Sequence, residues 1–287
     1  MNKHRILIAG GDMRQIYCAD RLSREFEIGI AGFDRDSLPD SIKLPFAGIS
    51  SAQKYDCAVL PVPPLDDEEN IYTPCSSEVL TPHAVKELLT EDALIFAGKV
   101  GKKLKSAFPE HELTDYMLSE ELNIKNAVPS AEGAVQLALE ELPVTLNGLK
   151  VLVVGMGRIG TALVKILQGF GADISAAVHS PRGAAKARLC GVKAVPTKRL
   201  SGSYGLVFNT APSLIFDRNT LEKFDDSTLF IDLSSKPGGI DFEAALSLGL
   251  KVIWALGLPG KTAPVTSGEI IAEAISSILA ERSGYIE

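Results

Sequence analysis

"VLVVGMGRIGTALVKIL", residues 151–167, decides the fold. A short apolar run ends at Gly155, Gly157 and Gly160, and a helical pattern begins at once. In that context each glycine has a physical task. Gly155 permits a tight turn, Gly157 lets a pyrophosphate approach the backbone, and Gly160 lets helix and strand pack closely. The phosphates of a dinucleotide then rest on the open amides of the helix N-terminus, which makes Arg158 and Ile159 part of the cradle.

Working outward, the second half repeats apolar strand patterns at 150–155, 173–179, 191–196, 204–211, 228–234 and 250–256, with helices between them. Six parallel strands in that rhythm form a doubly wound nucleotide domain. The first half repeats the plan with strands at 5–10, 26–33, 57–62 and 93–98. The proline-rich, acidic "PVPPLDDEENIY" (61–72) is a loop beyond the third of these. Ser130 is expected to cap a connecting helix over 131–142, which Pro143 ends. The domains are therefore expected at 1–128 and 129–287. An apolar-faced helix over 267–284 can cross back to cover the first domain. The expected fold class is α/β: two doubly wound Rossmann-like domains with an interdomain cleft, resembling the plan of the 2-hydroxyacid and alanine dehydrogenases.

The second strand of the nucleotide domain ends in "VHSPRG" (178–183), where an acid usually holds the adenosine ribose hydroxyls. A carboxylate would repel a ribose 2′-phosphate, whereas Ser180 and Arg182 donate to one, with His179 beside them and Lys186 one turn on. The expected cofactor is NADP. Asn209, Thr210, Ala211 and Pro212 follow the fourth strand. Asp232 and Ser234 follow the fifth, and Gly257, Pro259 and Lys261 the sixth; all gather at the carboxyl edge where the cofactor binds.

In the first domain "GGDMRQ" (10–15) lacks the third glycine of a nucleotide fingerprint. It reads as a strand-end turn presenting Asp12, Arg14 and Gln15, with the Arg14 fork suited to a substrate carboxylate.

Composition narrows the class. A net charge of −7 opposes nucleic-acid binding. Four scattered cysteines without a CxxC pair read as reduced thiols, and the four histidines show no ligand spacing, so no metal is expected. The basic start runs into an apolar stretch too short for a leader or a membrane span, and the expected location is the cytoplasm. No nucleophile–histidine–acid arrangement is readable. His83, in "LTPHAV", reads as a helix-start residue, and the catalytic acid–base group is not identified.

"GGDMRQ", "NAVPSAEGAVQLALEELPVTLNGLKVLVVGMGRIG" (126–160), "DLSSKPGGIDF" (232–242) and "GLPGKTAPVTSGEII" (257–271) together resemble, in order and spacing, the A subunit family of bacterial dipicolinate synthase. Ser130 stands where that family's pattern suggests Thr, which keeps the hydroxyl. The resemblance implies oxidation of a dihydro- or hydroxytetrahydrodipicolinate to dipicolinate in the mother cell of a sporulating bacterium, on a branch from lysine biosynthesis. It also implies a partner, the flavoprotein-like B subunit of the same synthase. On this reading Arg14 and Lys261 are the expected cations for the dicarboxylate, with Asp12, Gln15 and Ser130 expected beside them, and a homo-oligomer is expected. Two rivals stand beside this reading. One is an NADP-dependent 2-hydroxyacid or alanine dehydrogenase, which would normally show a histidine paired with a carboxylate. The other is a non-catalytic NADP-binding regulatory subunit.

Overall fold

The computed structural model describes residues 4–48 and 54–282. The chain forms two compact units, Met1–Lys125 with Ala263–Glu287, and Asn126–Thr262.

The first unit holds β1 (Arg5–Ala9), α1 (Met13–Ser23), β2 (Glu27–Ala31), β3 (Tyr55–Val59), α2 (Pro82–Glu87), β4 (Leu89–Ala97), α3 (Lys102–Ala107) and β5 (Glu112–Asp115). A long helix, α4 (Glu120–Glu141), leads out of it. The second unit continues with β6 (Lys150–Val154), α5 (Arg158–Gly169), β7 (Asp173–Val178), α6 (Pro181–Leu189), β8 (Lys193–Pro196), β9 (Leu206–Asn209), α7 (Arg218–Leu221), β10 (Leu229–Asp232), α8 (Phe242–Ser247), β11 (Lys251–Trp254) and α9 (Leu258–Thr262). The last helix, α10 (Pro264–Arg282), returns to the first unit; positions 283 and 284 of the expected helix lie outside the described residues.

Both sheets are parallel throughout. Their strand orders are β2-β1-β3-β4-β5 and β11-β10-β9-β6-β7-β8, the two common doubly wound arrangements. Strands covered on both faces should be apolar at every position, and β6 shows why. Val151 and Val153 enter one buried cluster while Leu152 and Val154 enter the cluster on the opposite face. Phe208 and Phe230 on neighbouring strands likewise point to opposite sides.

Two elements differ from expectation. The short edge strand β5 reads ELTD, and none of its four residues is fully buried. An edge strand needs only one partner and little apolar surface, so it leaves no apolar run to recognise. The helix expected over 131–142 is instead the end of α4, which runs from Glu120 through Pro129 without stopping. Pro129 has no N–H for the Lys125 carbonyl, but the flanking turns carry the helix past it. Ser130 is consequently no cap; its Oγ donates to the Asn126 carbonyl at 2.8 Å from within the helix.

In the first unit α10 covers the face of the sheet on which α1 lies, and Ile270, Ile271, Ile275 and Leu279 enter the same cluster as Ile16 and Leu22. The two helices meet at Gly268, where an added Cβ would lie 2.5 Å from the Arg14 carbonyl and 2.8 Å from the Cys18 nitrogen. Backbone cannot move aside as a side chain does. Gly268→Ala should therefore cost about 1–3 kcal/mol of stability, read from the midpoint of urea denaturation.

Candidate dinucleotide site

Gly155 ends β6 with φ +95°, a left-handed conformation that favours glycine. Behind it Gly160 seats α5 against the strand, since a Cβ there would stand 2.0 Å from the Gly155 carbonyl oxygen. Gly157 is different. Its φ of −80° and ψ of −160° suit any residue, and a Cβ there would meet no protein atom within 4 Å. Neither strain nor packing inside the chain requires this glycine. The open space lies over the N-terminus of a 12-residue helix whose first amides have no side-chain cap, where a phosphate fits. Arg158 is exposed and Ile159 packs against the unit's core.

At the end of β7, Ser180 caps α6 by accepting from the Gly183 amide at 3.2 Å, which leaves its O–H free to donate. His179 and Arg182 are exposed. Lys186 reaches back so that its Nζ donates to the Met156 carbonyl at 3.4 Å, inside the glycine turn itself. One helix face thus sets a cation over the cradle. No carboxylate stands in the His179–Gly183 segment to oppose it.

Several residues expected to line the ligand instead shape the edge from within. Asp232 and Asn209 are fully buried and Ser234 nearly so. The Asp232 Oδ1 accepts from Asn209 Nδ2 at 2.8 Å, the Ser234 amide at 2.9 Å and Ser234 Oγ at 2.7 Å. Its Oδ2 accepts from the Gly239 amide at 2.8 Å. One carboxylate therefore ties the loop after β9 to the loop after β10. Asn209 completes the tie by bonding both the nitrogen and the carbonyl of Ala211, and Trp254 Nε1 donates to the Ser234 carbonyl at 2.9 Å. Thr210 Oγ1 donates to the Val154 carbonyl at 2.8 Å, beside the Gly155 turn. Sequence reasoning placed these residues at the edge, yet their inward bonds had no signal beyond an aspartate followed by Ser and a glycine pair. Pro212, Gly257 and Lys261 are exposed, while Pro259 is buried.

At the carboxyl end of β1, Asp12 caps α1 by accepting from the Arg14 amide at 3.0 Å. The same carboxylate takes Arg14 Nε at 2.8 Å and Nη2 at 2.8 Å. The fork expected to meet a ligand carboxylate bidentately is thus spent on Asp12, leaving Nη1 without a partner among the described residues. Burial acts to lower the Arg14 pKa, but the Asp12 hydrogen bond and charge outweigh it and the net shift is upward. Gln15 is buried; its Nε2 donates to the Leu60 carbonyl at 3.2 Å, to which Tyr116 also donates at 3.0 Å. Burial holds the Tyr116 hydroxyl well above the ordinary tyrosine range, so it remains a donor.

The turn at Gly10 and Gly11 is filled by the chain itself. The Gly11 amide donates to the Tyr72 carbonyl at 2.7 Å, and a Cβ on Gly10 would meet Ile71 and Tyr72 at 2.7 Å. The loop beyond β3 thus covers the place a phosphate would need.

Two substitutions separate packing from ligand. Gly160→Ala should destabilise the protein by about 1–3 kcal/mol in urea. Gly157→Ala should leave stability within about 0.5 kcal/mol, yet weaken dinucleotide binding at least about tenfold in a fluorescence titration, because the methyl group occupies phosphate space.

Among the described residues no group of three or more His, Cys, Asp or Glu can hold a metal ion, and no helix is long and apolar enough to cross a membrane. Comparison with known proteins places these features. Residues 5–118 match the N-terminal domain of the dipicolinate synthase A subunit, and residues 125–246 match the NAD binding domain of D-isomer specific 2-hydroxyacid dehydrogenases. The second unit is accordingly a nicotinamide-dinucleotide-binding domain of the dehydrogenase kind. A solved structure of the dipicolinate synthase A subunit from Bacillus halodurans has a TM-score of 0.87 at 27% identity, covering 97% of this chain and 98% of that one. The corresponding structure from Bacillus subtilis has a TM-score of 0.85 at 29% identity, covering 100% of this chain and 99% of that one. The dipicolinate synthase A subunit of Bacillus subtilis (strain 168) is 30% identical over 286 residues, 96% of each chain. With that identity sustained from end to end, the chain belongs to the A subunit family of dipicolinate synthase.

Proposed function

We propose that the chain oxidises a dihydro- or hydroxytetrahydrodipicolinate to dipicolinate, pyridine-2,6-dicarboxylate, with NADP, as the A subunit of a dipicolinate synthase serving sporulation. The observation that carries this reading is family membership over the whole chain, joined to a glycine cradle in which the open space at Gly157 serves no purpose within the protein. From the hydroxylated substrate the net change is loss of water and of two hydrogens. Bound NADP supplies the acceptor for a hydride.

The chain's own groups then have definite work. The α5 amides and the Gly155 turn hold a pyrophosphate, and the Asp232 tie keeps the neighbouring loops at one height along the edge. Arg182 and Lys186, with the Ser180 hydroxyl, hold a 2′-phosphate; the absence of an acid after β7 and the reach of Lys186 to Met156 support NADP over NAD. Arg14, oriented by Asp12, offers Nη1 to one substrate carboxylate, and Lys261 is the cation offered to the other. Aromatisation supplies much of the driving force, which lessens the need for a strong base. The described histidine–carboxylate pairs do not suit one. His4 precedes β1 at the amino edge of its sheet, and His83 with Glu87 is an exposed helical pair. That favours this reading over a 2-hydroxyacid or alanine dehydrogenase. Partnership with the flavoprotein-like B subunit, together with a place in the mother-cell cytoplasm, follows from the same family reading.

The direct test is dipicolinate formation from freshly made dihydrodipicolinate synthase product, with NADP⁺ or NAD⁺ and with or without the B subunit. Formation by this chain alone, faster with NADP⁺, is expected; formation that needs the B subunit would move part of the site to the partner, and none under any condition would refute the assignment. Arg182→Ala should raise the Kd for NADPH about tenfold while changing that for NADH little. Arg14→Ala should raise the substrate KM about tenfold and leave the NADPH Kd unchanged; an unaltered KM would remove Arg14 from the site.

A further inference from the structure

Between Asp173 and Asp217 the chain contains no Asp or Glu, although its acids outnumber Lys and Arg by 36 to 29 overall. Six cations fall in that window: Arg182, Lys186, Arg188, Lys193, Lys198 and Arg199. All but Lys186 are exposed, and none is paired with a carboxylate among the described residues. Elsewhere on this acidic protein, surface cations such as Arg21, Lys103 and Lys251 do find carboxylates. A one-signed field persists only where no acid is near to cancel it.

The topology fixes where that field lies. β6, β7 and β8 are paired in parallel, so their carboxyl ends share one edge. The glycine turn follows β6, Arg182 and Lys186 follow β7, and Lys198 and Arg199 sit in the single turn Thr197–Arg199 after β8. With strands about 4.8 Å apart, the end of β8 lies about 10 Å from the glycine turn. That is about one Debye length at 0.1 M salt, a range over which a charge still acts on an approaching anion.

We propose that Lys198 and Arg199 form a steering band that captures the anionic dinucleotide and passes it along the sheet edge to the Gly155–Gly160 cradle. This rests on the cofactor reading given above for the second unit. The band selects by rate. A 2′-phosphate adds a charge of about −1.5 to −2, so NADPH is drawn in more strongly than NADH before any hydrogen bond forms. Steering of this kind raises association rates by about tenfold or more and weakens steeply with salt.

The test is stopped-flow binding of NADPH and of NADH to the full chain, followed by nucleotide fluorescence at low and high ionic strength. In K198E/R199E the NADPH association rate should fall about five- to tenfold at low salt, with the dissociation rate unchanged. The loss should be smaller for NADH and should vanish at high salt. The charge-conserving K198R/R199K should keep the rates of the unaltered protein. An association rate unmoved by charge reversal would overturn steering, as would a loss carried by the dissociation rate, which reports direct contact. If the unaltered protein binds neither nucleotide, the cofactor reading falls and steering falls with it; normal binding with indifferent variants removes the steering band alone.

Discussion

The contact between Gly160 and the Gly155 carbonyl is the constraint on which the nucleotide-binding unit depends. With no Cβ at position 160, α5 can lie against the end of β6 more closely than any other residue pair allows. That approach fixes the height and direction of the helix start, and so decides where its open amides point. The apolar strands explain why the sheet is buried on both faces, but they would pack equally well with α5 displaced. Only the paired glycines tie the core to the chemistry of the edge.

A second device works beside it by the opposite means. Where the glycines remove atoms to permit contact, Asp232 supplies acceptors to enforce it. A fully buried carboxylate is costly unless its lone pairs are filled, and the two oxygens of Asp232 accept four hydrogen bonds from Asn209, Ser234 and Gly239. Loss of any one partner would leave charge unmatched in the interior, which makes the arrangement rigid. Gly239 belongs to the same device, since a Cβ there would stand 2.1 Å from Asn209 Nδ2. In the first unit the comparable strand-end turn is closed by the chain's own Tyr72. Two units of related plan thus present different edges, one open for a phosphate and one filled by protein.

What the sequence disclosed follows the strength of the physical signal. The inner strands of the second unit were legible because a doubly covered parallel strand must be apolar, as Val151–Val154 are, while its edge strands β8 and β11, with no fully buried residue, were legible from their alternation with helices. The glycine fingerprint was legible because each position answers a separate demand, backbone conformation at Gly155, open space at Gly157 and helix packing at Gly160. Strand β5 was not, because an edge strand as polar as ELTD carries no such demand. Ser130 was misjudged because a hydroxyl residue ahead of a helical pattern suits a cap, whereas α4 already runs through Pro129 and places Ser130 inside the helix. The Arg14 fork was assigned to a ligand because a local carboxylate two residues away, Asp12, is invisible as a partner until the turn is built. Asp232 shows the same limit: its place at the strand end was legible, but its inward orientation depends on residues 23 positions earlier and 7 positions later.

The return of α10 to the first unit bears on how the two units depend on the chain's order for folding. The second unit, residues 126–262, is continuous in the chain and holds all of its own strands, so it can complete its core without segments from elsewhere. The first unit cannot. Its strands all precede residue 126, but the face that takes Ile270, Ile271, Ile275 and Leu279 stays bare until α10 docks. The unit built mainly from the earlier residues therefore depends on a segment that follows the other unit in the chain. Until then that apolar face is exposed surface prone to aggregation.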